Sequence, residues 1–294
     1  MSWNRVSDPE QRGVLISAAV GRVYAARSAA ERRDIPVPEL DSGEIWQTDD
    51  GTVTVWTIPG DGEVVLADVD GPTIAWPILD DLAAQAGWSG IWHFSSFAEG
   101  TEMAALAAAG DARRVATKMR VSVSEVPAPA GIRLVPMGED DFAAYRAVAD
   151  EDYAQERFAS GAEPTIEDSR RVAAEQMAEL LPDGPRTPGH RLWTVRDSVG
   201  ERVGILWVHV GEDAAFIYDI SLDESRRGQG LGTQALRAAA EQTAAAGLDV
   251  LALNVFGSND GARRLYAREG YRETEALWSV PIGRHSRTVS ADRP

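Results

Sequence analysis

Residues 226–236 read RRGQGLGTQAL. Arg226 and Arg227 run into glycines at 228, 230 and 232, and a helical pattern starts directly afterwards. Glycine loses more conformational freedom on ordering than any other residue, so this spacing marks either a tight turn or a close approach to the main chain. A helix N-terminus adds unpaired N–H groups and the positive end of the helix dipole, which makes an anion such as phosphate a candidate for what approaches.

The flanking residues narrow the choice. A P-loop requires G-x-x-x-x-G-K-[ST], and this stretch has no lysine. The dinucleotide pattern G-x-G-x-x-[GA] is met by Gly230, Gly232 and Ala235, but polar residues Asp223–Arg227 separate the glycines from the preceding strand. The next strand ends in Leu253-Asn-Val-Phe256, with no acid to hold a ribose. Downstream, residues 253–271 read LNVFGSNDGARRLYAREGY, with Asn259, Ala262 and Tyr266 at helical spacing on one face.

A strand, a short polar turn and R-x-x-G-x-G opening a helix, followed in order by N-x-x-A-x-x-L-Y-x-x-x-G-Y, resembles the GNAT superfamily of N-acetyltransferases. The resemblance covers about Ile132 to Pro281. It implies an α/β (α+β) fold with a mixed, largely antiparallel sheet flanked by helices. It also implies direct acetyl transfer from acetyl-CoA, as acyl-donor substrate, to a primary amine of a small molecule or a peptide N-terminus. Main-chain N–H groups of Gly228, Gln229, Gly230, Leu231, Gly232 and Thr233 would bind the pyrophosphate, with Arg227 adding charge. Ile220, Ser221 and Leu222 would line the pantetheine arm where strands 215–222 and 248–256 splay, and the Leu222 N–H would stabilise the oxyanion. Asn259 would contact the arm or the start of its own helix. Tyr266 would return a proton to the leaving thiolate. Some relatives carry a glutamate base five residues before the asparagine; here that position is Asn254, which leaves Asp219 as the substitute. Glu156, Asp152 and Tyr153 read either as a wall of the acceptor site or as a solvated helix face.

Composition bounds the rest. The chain has 294 residues, no cysteine and one lysine, Lys118, so disulfides and a cysteine nucleophile are excluded. A net charge of −17 repels nucleic acid and anionic membranes, and favours a cationic acceptor by steering. The N-terminus has no basic segment leading into an apolar run, and no stretch is long and apolar enough to span a bilayer, so a cytoplasmic location is expected. His93, His190, His209 and His285 show no metal-ligand spacing, so no metal is expected. The Pro/Ala/Gly segment 126–131 divides the chain into an accessory or degenerate module (1–125) and an acetyltransferase module (131–283), with a flexible tail (284–294). Setting Gly110 on Gly270 aligns helix with helix and strand 116–123 with strand 273–281, a weak internal repeat. In the first half the glycine run is replaced by ADVDGPTIAWPILDDL, and Tyr266 by Leu106, so that module is not expected to bind acetyl-CoA. Two other readings stay open: a catalytically silent acyl-CoA-binding sensor, motivated by Asn254, and a dinucleotide-dependent oxidoreductase. Oligomeric state is not legible.

Overall fold

The computed structural model describes residues 2–72, 74–98, 102–108 and 112–284. Gly110, on which the repeat was aligned, lies outside them, as do His285 and the tail from 285 onward. The chain forms two compact units, Met1–Val115 with Thr274–Pro294, and Ala116–Glu273.

The first unit opens with strand β1 (Trp3–Arg5) and helix α1 (Pro9–Glu31). Asp8 accepts the Gln11 N–H at 2.8 Å, and Pro9 sits in the first turn, where no N–H is needed. Strands β2 (Glu44–Thr48), β3 (Thr54–Pro59) and β4 (Glu63–Asp70) form an antiparallel meander. Helix α2 (Trp76–Ala86), strand β5 (Ile91–Phe97) and helix α3 (Glu102–Ala108) follow. β1 and β2 were not expected, because runs of three and five residues are too short for alternation to register. Inward residues of the sheet, including Val55, Leu66, Trp92 and Phe94, bury against Trp76, Leu79 and Leu82 of α2.

Strand β6 (Arg113–Ser122) leads into the second unit, and strand β7 (Ile132–Pro136) follows. Helices α4 (Glu139–Ser160) and α5 (Ile166–Leu180) come next. Strands β8 (His190–Asp197), β9 (Arg202–Val210) and β10 (Ala215–Leu222) form a second meander. Helix α6 (Leu231–Ala245), strand β11 (Val250–Phe256) and helix α7 (Asp260–Arg268) complete it. The last strand, β12 (Arg272–Pro281), pairs with β5 in the first unit's sheet.

The two sheets share one topology. Their orders are β1-β2-β3-β4-β5-β12 and β7-β8-β9-β10-β11-β6. In each, the fourth and fifth strands are parallel and the other pairs within the sheet are antiparallel. A helix crosses between the fourth and fifth strands and another follows the fifth, so the chain is a tandem of two modules of one architecture. Their sixth strands are exchanged: β6, which follows α3, pairs with β11 from Val250↔Ser122 to Phe256↔Ala116. The compact units therefore differ from a division at residues 126–131. The Pro/Ala/Gly stretch there joins β6 to β7 within one unit, since linker composition marks a local break and not the sheet a strand joins.

Gly204 of β9 lies opposite Leu222 of β10, and a Cβ at 204 would fall 2.2 Å from the Ser221 carbonyl oxygen. Gly204→Ala should therefore destabilise the chain by about 1–3 kcal/mol, read as a lower urea midpoint with an unchanged slope.

Candidate active site

β10 and β11 pair only from Ala215↔Leu251 to Ile217↔Leu253. There β10 becomes irregular: Ile217 faces Val208 of β9 and Asp219 faces Trp207, so Tyr218 is an extra residue. A bulge of this kind raises local twist and shifts side-chain parity by one. Ile217 lies in the core with Leu236 of α6 and Tyr266 of α7. Strict alternation would aim Asp219 at that same face. Instead the Tyr145 hydroxyl of α4 donates to Asp219 Oδ2 at 3.0 Å. Beyond the bulge, the Asp223 N–H donates to Val203 O at 2.9 Å, toward β9. Main-chain N–H groups alternate between the two edges of a strand, so the Leu222 N–H points to the other edge, past the end of the β11 pairing.

Asp219 is half-buried, and its pKa is pushed up to about 7. Loss of water is the main cause; the Tyr145 hydrogen bond opposes it, the charges of Glu156 and Asp152 add to it, and the Ile220 N–H opposes it. Glu156 is also raised, by desolvation first and then by Asp152, although its side chain is exposed. Tyr266 is buried and its pKa is raised, by burial and then by the charges of Asp219 and Glu156. The α4 acids are thus coupled electrically to Asp219 and Tyr266, which a fully solvated helix face would not be.

The glycine run lies at the start of α6. Gly228 (φ +76°) and Gly230 (φ +78°) occupy the left-handed region, where a side chain is strained. Gly230 caps α6 without a side chain, so nothing of its own covers the first free N–H groups of Leu231, Gly232 and Thr233. Gly232 has a different reason to be glycine: its Cβ would stand 3.2 Å from Leu265 and 3.7 Å from Leu222. That close approach brings the end of β10, the start of α6 and the middle of α7 together. Arg226 is bound to Asp197 at 2.5 Å and Glu201 at 3.0 Å, which ties the turn to the β8–β9 hairpin. Arg227 is exposed and makes no ion pair among the described residues.

The remaining predicted contacts divide in the same way. The Thr233 hydroxyl donates to Glu269 at 3.0 Å, leaving its main-chain N–H as the available group. Gln229 Nε2 folds back on Ser225 O at 3.4 Å. Ser221 pairs with Ile205, and Ile220 with Leu206. Asn259 caps α7 by accepting the Ala262 N–H at 3.1 Å, so its amide nitrogen remains as a donor. These groups suit coenzyme A: free helix N–H groups and Arg227 for phosphates, and a strand edge for the amide-bearing arm.

Sequence reasoning missed Tyr145 and an aromatic wall. Tyr145 belongs to the Phe142, Tyr145, Ala149 stripe of α4, which spacing reads as core; its hydroxyl partner comes from another element. Tyr218, 40% exposed, stacks on Trp207 at 4.7 Å and meets Phe216 at 5.0 Å. Tyr153 lies against Phe256 at 5.9 Å, so it lines this region and not open solvent alone. The His190 and His209 rings lie 4.5 Å apart, tilted by 39°, and Trp207 Nε1 donates to His190 Nδ1 at 2.9 Å. Among the described residues no group of three or more histidine or acidic side chains is placed to hold a metal, and no helix is long and apolar enough to cross a membrane.

The model of the acetyltransferase (GNAT) family matches residues 152–271. The uncharacterized N-acetyltransferase YycN of Bacillus subtilis (strain 168) is 36% identical over 155 residues, spanning 51% of this chain and 99% of that protein. A mycothiol acetyltransferase of Clavibacter michiganensis subsp. michiganensis (strain NCPPB 382) is 28% identical over 228 residues, 73% of this chain and 71% of that one. In fold, the chain is similar to a GCN5-related N-acetyltransferase from Sphaerobacter thermophilus (TM-score 0.54, 17% identity, 95% of this chain and 96% of that one). The chain belongs to the GNAT acetyltransferase family and is an acyltransferase.

Asp219 has a raised pKa in the folded state, so its ionisation costs stability as pH rises from the unfolded value of 3.8 to about 7. Asp219→Asn should leave Tm unchanged near pH 4 and raise it at pH 8, as read by thermal melts.

Proposed function

We propose that the chain transfers an acetyl group from acetyl-CoA to a primary amine of a small molecule or a peptide N-terminus, by direct attack. The observation that carries this reading is the parting of β10 from β11 at the Tyr218 bulge, with Asp219, the Leu222 N–H and Tyr266 around the gap. Asp219, with a pKa near neutrality, takes a proton from the acceptor ammonium. The neutral amine attacks the thioester carbon. The Leu222 N–H meets the carbonyl oxygen as it gains charge. Tyr266, kept protonated by burial and by nearby acids, gives a proton to sulfur as the C–S bond breaks, and the proton that nitrogen loses as the amide forms restores it. The start of α6, Arg227 and Asn259 hold the donor.

The acidic and aromatic wall of Asp152, Glu156, Tyr153 and Tyr218 favours a cationic acceptor. The likeness to a mycothiol acetyltransferase, which runs through both units, supports a small-molecule acceptor over a protein. Only the second module binds the donor. In the first, β4 and β5 part after Leu66↔Phe94, but α2 starts with Trp76-Pro77, and Pro77 has no N–H to offer. Trp76 is buried against Phe94, with rings 5.3 Å apart, and donates to the Leu106 carbonyl at 2.9 Å.

Calorimetric titration with CoA should give one site per chain. Arg227→Ala should weaken that binding, with the difference shrinking in high salt. Across a panel of amines, with release of the CoA thiol as readout, Tyr266→Phe should lower kcat by about 100-fold or more while leaving the KM for acetyl-CoA nearly unchanged. Tight CoA binding with no thiol release on any amine would instead support an acyl-CoA sensor.

A further inference from the structure

We propose that Tyr145 is a positioning residue of this site: its hydroxyl orients the Asp219 carboxylate and holds it ionised to receive the acceptor's proton. The inference rests on Asp219 as the base. It stands on a hydrogen bond of 3.0 Å between two groups that the fold fixes independently.

The tyrosine end is fixed by packing. Tyr145 is 8% exposed and sits in a core cluster with Met137, Ala149, Met177 and Trp207. Its helix is tied to α5 by the Tyr153–Gln176 hydrogen bond at 2.8 Å and by the Glu151–Arg170 ion pair at 2.9 Å. The carboxylate end is fixed by the sheet. Asp219 follows the bulge and sits opposite Trp207, a member of the same cluster as Tyr145. Neither end is a long surface side chain free to choose another partner.

The groups facing Asp219 act in opposite directions. From α4, Asp152 and Glu156 disfavour its charge, while Tyr145 donates to it; from its own strand, the Ile220 N–H favours it. From α7, Tyr266 lies within reach of its field. Beside Tyr145, Arg146 and Asp150 pair at 2.7 Å. Burial raises the Tyr145 pKa, with the Asp219 charge adding to it, so the hydroxyl keeps its proton and stays a donor wherever the enzyme works. During transfer one ammonium proton moves to Asp219, the C–N bond forms, the C–S bond breaks, and sulfur takes the Tyr266 proton; the second proton, lost from nitrogen as the amide forms, restores the Tyr266 hydroxyl. Tyr145 gains and loses nothing; it sets the geometry and charge of the acceptor oxygen.

The melts need no identified acceptor; only the separate check on the base uses turnover, on an amine found in the panel above. Thermal melts from pH 4 to 9 on the full chain measure the effect of Asp219→Asn in two backgrounds, wild type and Tyr145→Phe. In wild type the Tm gained by Asp219→Asn should grow with pH and level off above about 7. Removing a hydrogen bond to a charged acceptor should move that levelling-off upward by about one to two pH units. A purely structural tyrosine would lower Tm equally at every pH in both members of the pair, and any general loss of stability cancels in the comparison. Levelling-off at the same pH with and without the hydroxyl overturns the inference. Failure of the base reading is seen separately: Asp219→Asn would then keep full turnover whatever the melts show.

Discussion

The site depends on one extra residue in a strand. Tyr218 has no partner of its own in the β9–β10 register, and three consequences follow from that insertion. The twist it adds coincides with the end of the β10–β11 pairing, so a strand edge becomes free within a sheet. The parity change turns Asp219 from the face of Ile217 toward Tyr145. The residues beyond it regain their pairing with β9, which fixes the direction of the Leu222 N–H. Gly204 permits this return, because only a residue without Cβ fits against the Ser221 carbonyl.

Around that gap, stability and chemistry pull against each other. A carboxylate taken out of water beside two further acids costs the folded state free energy at neutral pH. The Tyr145 hydroxyl limits that cost, and the proposed mechanism uses the group as its proton acceptor. The turn carrying the glycines is held the opposite way. Arg226 is held by Asp197 and Glu201, while Arg227 stays exposed beside the start of α6. Two adjacent arginines thus separate into an anchor and an available charge.

How much of this was legible depended on how local each feature is. The glycines at 228 and 230, the asparagine cap and Tyr266 are set by short-range rules, and the sequence displays them directly. The strands of the second unit followed from alternation. The bulge did not, because an added residue within AFIYDISL leaves no mark in composition or hydropathy. Tyr145 was hidden for a related reason: helical spacing reports that it is buried, but not what its hydroxyl meets. The strand exchange was hidden too, since alternation marks β6 and β12 as strands but does not say which sheet each one joins.

If the opening beside β10 and the start of α6 form one coenzyme A site in the second module, both must respond to the same ligand. Amide hydrogen exchange of the full chain, with and without CoA, tests this most directly. Exchange should slow at Leu222 and across residues 228–233, with no protection gained at the start of α2 around Trp76. Slowed exchange confined to the first unit, or none at Leu222 and residues 228–233 under saturating CoA, would contradict a single site there.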